Sequence, residues 1–114
     1  EFQDLNHNKK SLYEMVAEAS LKLNKNKNVG LVVGATAQKE LEKIRSISPD
    51  LPLLIPGVGT QGGDLHRSVK IGNKNGTALI NVSREISFAG DMSKNRVRLE
   101  AKKYIEIMGN ILDG

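Results

Sequence analysis

The 114-residue sequence has no cysteine and no tryptophan, and phenylalanine and tyrosine together supply only 4% of it. Without cysteine there is no disulfide framework, no thiolate metal site and no cysteine nucleophile. The scarcity of aromatics leaves Leu, Ile, Val, Ala and Gly to build the core, the usual interior of α/β proteins. Long apolar runs are missing too. No stretch approaches the ~20 apolar residues a membrane helix needs, and residues 1–10 lack the apolar segment of a signal peptide. A composition of 39% apolar and 26% charged residues excludes a disordered tail. The expectation is one modest, soluble, cytoplasmic domain with no membrane partner.

Seventeen Lys+Arg face thirteen Asp+Glu, a formal charge of +4. The excess falls at Lys9, Lys10, Lys22, Lys25 and Lys27, and again at Lys94, Arg96, Arg98, Lys102 and Lys103, positions that read as solvated helix faces. Nucleic-acid surfaces pair basic stripes with stacking aromatics. Here Phe2, Tyr13, Phe88 and Tyr104 stand singly, so no nucleic-acid partner is expected.

Ser11-Leu12-Tyr13-Glu14 has the form of a capping box, and Leu12, Val16, Ala19 and Leu23 recur at helical spacing, which predicts a helix over about 11–24. Residues 29–35, an apolar run flanked by glycines, read as a buried parallel strand. Thr36 is placed to cap the next helix, with Leu41 and Ile44 on its inner face. A second strand is expected over 51–56 and a short helix from Leu65, with Asp64 as its cap. A third strand follows over 77–83. Ser93 opens a final helix whose inner face is Val97, Ala101, Tyr104, Met108 and Ile111. Strands alternating with helices at this spacing mean parallel pairing through right-handed crossovers.

Two strand ends carry chemistry. Residues 57–63 hold Gly57, Gly59, Gly62 and Gly63 between a strand and a helix, where backbone N–H groups approach an anion closely. A tight βα turn needs the same composition, and the string matches neither a dinucleotide fingerprint nor a P-loop. The second is Asn81-Val82-Ser83-Arg84, in which arginine offers a planar fork of donors; the competing reading is a surface Arg84 paired with Glu85 or Asp91. Two consecutive strands ending in anion-suited groups match the phosphate site after strands seven and eight of (β/α)₈ barrels. His7 and His66 have no carboxylate or second histidine at ligand spacing and read as solvated side chains. Pro52 and Pro56 bracket a short strand, as in a barrel strand with bent ends.

Residues 30–36, the string from Asp50 to Asp64 containing Pro-Gly-Val-Gly-Thr-Gln-Gly-Gly-Asp, and Ile80-Asn81-Val82-Ser83-Arg84 closely resemble the C-terminal part of orotidine 5′-phosphate decarboxylase. The resemblance implies an α/β fold, the C-terminal portion of a (β/α)₈ barrel from about helix five to helix eight, with residues 1–114 as part of one domain and no second domain. Glu1–Leu5 would follow the fifth strand. It implies conversion of orotidine 5′-monophosphate to uridine 5′-monophosphate and carbon dioxide, in pyrimidine biosynthesis, without metal or organic cofactor. Gln61 would bridge phosphate and pyrimidine, Ser83 and Arg84 would bind phosphate with Gly59 and Gly62, and Pro56 and Val58 would line the pocket near the departing carboxylate. The family's Asp-x-Lys-x-x-Asp motif is absent around Asp4, Asp50, Asp64, Asp91 and Asp113, as is the base-recognising serine, so no catalytic residue is assigned. The chain alone is expected to bind phosphate and not to decarboxylate, its partners being the N-terminal half of the barrel and, in the intact enzyme, a second copy. Glu85 stands where many relatives carry a small residue; an acid there lowers anion affinity unless its side chain points away. The alternative is a non-catalytic half-barrel that binds a nucleotide or sugar phosphate.

Overall fold

The structure, a computed structural model, describes residues 6–7, 9–59 and 64–114. Its centre is a parallel sheet of β3 (Leu31–Val32), β4 (Leu53–Ile55) and β5 (Ala78–Ile80), side by side in that order, with Leu31 opposite Leu53 and Leu53 opposite Ala78. Apolar runs set between turn residues form these strands, as expected for a sheet covered by helices. The extended chain continues beyond β3: the Val33 N–H donates to the Leu54 carbonyl at 2.9 Å, and the Ala35 N–H to the Pro56 carbonyl at 2.7 Å. Pro52 and Pro56 flank β4, the middle strand, at the two ends of its ladder, where their carbonyls accept from the Leu31 and Ala35 N–H groups.

An antiparallel hairpin of β1 (Asn6–His7) and β2 (Lys10–Ser11) precedes the first helix, an element the sequence did not announce. The helices are α1 (Leu12–Leu23), α2 (Gln38–Ile47), α3 (Leu65–Gly72), the single turn α4 (Arg84–Ser87) and α5 (Lys94–Asp113). α1 packs on α2, α2 on α3, and α3 on α5. In β4, Leu53 and Ile55 are buried while Leu54 is exposed, so one sheet face carries the core and the other does not. The core joins Val33, Ala35, Leu53, Ile55 and Val58 to Ala17, Leu41 and Ile44, with Tyr13, Leu65, Ile71 and Tyr104 packed around them. Each fully buried Leu or Ile contributes roughly 2 kcal/mol. α3 approaches the sheet closely at Gly72, where a Cβ would meet Ile55 Cδ1 at 2.7 Å and Ala78 Cβ at 2.8 Å. The opposite face leaves Val32, Leu54 and Leu79 at 69%, 39% and 67% exposure.

Two expected caps are formed differently. The Ser11 hydroxyl donates to Glu14 Oε1 at 2.9 Å and caps no backbone N–H, because Ser11 also closes the hairpin. Ala37, not Thr36, is the N-cap of α2; the Gln38 amide instead reaches back to the Ala35 carbonyl and to Ser68 Oγ at 3.3 Å. Asp64 and Ser93 cap as expected, accepting from the Arg67 N–H at 3.0 Å and the Arg96 N–H at 3.3 Å.

The N-terminal ends of β4 and β5 are tied by Arg45, only 3% exposed. Its Nη1 donates to the carbonyls of Ser48 (3.3 Å), Pro49 (3.0 Å) and Leu51 (2.7 Å), and its Nη2 to those of Gly72 and Thr77. The carbonyls at the ends of α2 and α3 and at the entries to both strands thereby converge on one guanidinium. Burial lowers the Arg45 pKa from its usual value, opposed by the nearby Asp50 carboxylate.

Candidate functional site

The site lies at the other end of the sheet. β4 runs out through Pro56 into Gly57 and Gly59, at φ +94° and +91°, a backbone region L side chains rarely adopt. Between them Val58, 5% exposed, anchors the loop in the core. Pro56 is half-buried at the strand end. Gln61 and Gly62 lie outside the described residues, as does the Glu1–Leu5 opening. The chain resumes at Asp64, whose carboxylate fixes the start of α3.

β5 delivers the second half. The Asn81 N–H donates to the Ile55 carbonyl at 3.0 Å, holding the two strand ends abreast. The Asn81 side-chain amide donates to Ser83 Oγ at 2.9 Å. A hydroxyl that accepts one bond keeps its own proton to donate, so this contact leaves the Ser83 O–H available to an anion. Ser83 leads into α4, and Arg84 opens it, exposed. Neither expected carboxylate holds Arg84: Asp91 Oδ1 accepts from the Ser93 N–H at 3.0 Å, and the Glu85 stem turns beneath Gly59. Among the described residues Arg84 makes no ion pair. The bond to Ser93 holds the exposed Asp91 carboxyl below its usual value.

A depression of about 430 Å³ adjoins Arg84 on the side lined by Glu85, Phe88, Gly90 and Glu100. Arg84 borders it too, and its two carboxylates disfavour an anion there. A second cleft of about 430 Å³ lies at the opposite end of the strands, against Glu42, Arg45, Pro49 and Lys74. The five Arg45 donor contacts go to the chain's own carbonyls, so its Nη groups are not free to serve this cleft.

The remaining candidates stand apart. His66 is exposed on α3, and His7 lies in the hairpin. No group of three or more His, Cys, Asp or Glu among the described residues is arranged to hold a metal, and no described helix is long and apolar enough to cross a membrane. Sequence reasoning did not single out Arg45 or Gln38, each of which also reaches a segment about 30 residues away. It placed Tyr104 on the core face of α5 without locating it beside Gly59. Burial and then the Glu85 and Glu100 carboxylates raise the Tyr104 pKa above the usual 10.0.

A family model described as "Orotidine 5'-phosphate decarboxylase / HUMPS family" matches residues 1–98. The orotidine 5′-phosphate decarboxylase of Natronomonas pharaonis is 52% identical over 92 residues, covering 80% of this chain and 34% of that protein. That of Haloarcula marismortui is 52% identical over 85 residues, covering 75% of this chain and 31% of that protein. The chain thus spans about a third of the length of these curated relatives. Among solved structures, the OMP decarboxylase of Leishmania donovani superposes with a TM-score of 0.86 at 36% identity, covering 99% of this chain and 43% of that one. The UMP synthase of the same organism gives 0.84 at 40% identity, covering 96% and 24%. The fold is part of a (β/α)₈ barrel, its parallel strands alternating with helices, and the chain belongs to the orotidine 5′-phosphate decarboxylase / HUMPS family.

Proposed function

We propose that this chain supplies the phosphate-binding loops of an orotidine 5′-phosphate decarboxylase, which converts orotidine 5′-monophosphate to uridine 5′-monophosphate and carbon dioxide. The observation that supports the reading is the pairing of the ends of β4 and β5 through the Asn81–Ile55 bond, with Gly57 and Gly59 following one strand and Ser83 and Arg84 the other. Gly59 and Gly62 offer backbone N–H groups, the Ser83 hydroxyl donates, and the Arg84 fork takes two phosphate oxygens. Gln61 bridges phosphate and pyrimidine, while Pro56 lines the apolar pocket and Val58 backs it from the core. Phosphate sits remote from the reacting carbon, so its binding energy is available to position and strain the substrate.

Residues 1–114 belong, in this reading, to one barrel domain. The bare face at Val32, Leu54 and Leu79 supports a cover made by the N-terminal half of the barrel, which carries the Lys/Asp chemistry. In the intact enzyme two copies meet at the active-site end, where Phe88 and Met92 are exposed. The chain alone holds phosphate without turning substrate over. Calorimetric titration with uridine 5′-monophosphate and with inorganic phosphate tests the grip: both bind the chain, and Arg84→Ala weakens both. Absence of binding by the unaltered chain overturns the reading, and turnover of orotidine 5′-monophosphate by the purified chain overturns its lack of catalysis.

A further inference from the structure

Gly59 rests on two residues from different elements. A Cβ at Gly59 would lie 2.6 Å from Glu85 Cγ, 3.6 Å from Glu85 Cδ and 3.6 Å from the Tyr104 hydroxyl. Glu85 comes from the first turn of α4 and Tyr104 from the middle of α5, and both are half-buried. The Glu85 stem thus packs against Gly59, and among the described residues no ion pair joins its carboxylate to Arg84, although both border the same depression. The carboxylate also opposes ionisation of the Tyr104 phenol, after burial.

We propose that Glu85 and Tyr104 are positioning residues for the anion loop, forming a seat that fixes the height of the Gly59 backbone relative to Ser83 and Arg84. A Cβ at Gly59 would displace the Glu85 stem, and the positive φ there disfavours a side chain, so the Gly59 backbone packs directly on residues of α4 and α5. A shift of α4 that moves Arg84 therefore also moves the support of Gly59, coupling the two halves of the grip mechanically.

The ligand arm of the test rests on the phosphate reading above; the other arms do not. Amide exchange at Gly59 should quicken about tenfold in Glu85→Ala, which empties the seat, and stay within about twofold in Glu85→Gln, which keeps the stem. Affinity for uridine 5′-monophosphate should weaken about fivefold or more in Glu85→Ala and be equal or tighter in Glu85→Gln. In a Tyr13→Phe background, absorbance titration should show the Tyr104 pKa falling toward 10.0 when Glu85 becomes Gln. Equal exchange rates in both Glu85 variants overturn the seat, as does a Tyr104 titration indifferent to Glu85. If Glu85→Ala does not fold, Glu85→Gln and the Tyr104 titration decide the question. Failure of the unaltered chain to bind nucleotide refutes the phosphate reading and leaves the exchange and titration arms to judge the seat.

Discussion

The two ends of the sheet each carry an arginine, and the two are opposites. At the strand entries Arg45 is buried and its Nη donors are consumed by five carbonyl oxygens of its own chain. At the strand exits Arg84 is exposed and makes no ion pair among the described residues, with an ordered hydroxyl at Ser83 beside it. One guanidinium closes the fold; the other is left open, and under the proposed function it takes the phosphate. Donors saturated by backbone contribute to stability, whereas donors left open are available for recognition, and the same side chain serves either end according to what surrounds it.

The largest effect is expected at the closed end. Arg45→Met should cost about 3 kcal/mol or more in urea unfolding, since buried carbonyls lose charged donors without replacement. A loss below about 1 kcal/mol would make Arg45 a passenger and collapse the contrast. At the open end, Arg84→Ala should leave stability within about 0.5 kcal/mol while weakening uridine 5′-monophosphate binding roughly tenfold to a hundredfold by calorimetry. Asp64→Ala, which uncaps α3 beside the glycine loop, should cost about 1 kcal/mol by thermal denaturation. The exposed pair Arg67–Glu42, at 2.7 Å, should show a coupling below about 0.5 kcal/mol in a double-mutant cycle. The smallest effect belongs to Asp91. Its folded pKa lies below the usual 3.8, so its contribution is present above that value and lost as pH falls through the folded pKa. Acid titration followed by circular dichroism should show the start of α5 fraying in that window, and Asp91→Asn should remove the effect.

What the sequence made legible was local or strongly patterned. Asp64 and Ser93 act on N–H groups three residues away, and Leu41 and Ile44 follow from helical period alone. Residues 57–63 and Ser83–Arg84 stood out as short strings, and parallel strand order predicted that the exits of β4 and β5 lie side by side, as the Asn81–Ile55 bond shows. Arg45 did not stand out, because three of its acceptors lie 6, 27 and 32 residues away and carry no side-chain signature. Thr36 and Ser11 misled for the converse reason: each has a good capping side chain, but Gln38 and the hairpin offered the neighbouring backbone other arrangements. The seat under Gly59 depends on how α4 and α5 fold back on β4, a contact no local pattern encodes.

The uncovered stripe of Val32, Leu54 and Leu79 has a kinetic consequence. Folding of the chain is a first-order event, whereas sticking to another copy through a bare apolar face is second-order in concentration, so the two compete on terms set by dilution. Refolding yield of this chain, read by light scattering, should therefore fall as protein concentration rises even where its native stability is unchanged, and charged substitutions at Val32 and Leu79 should flatten that dependence.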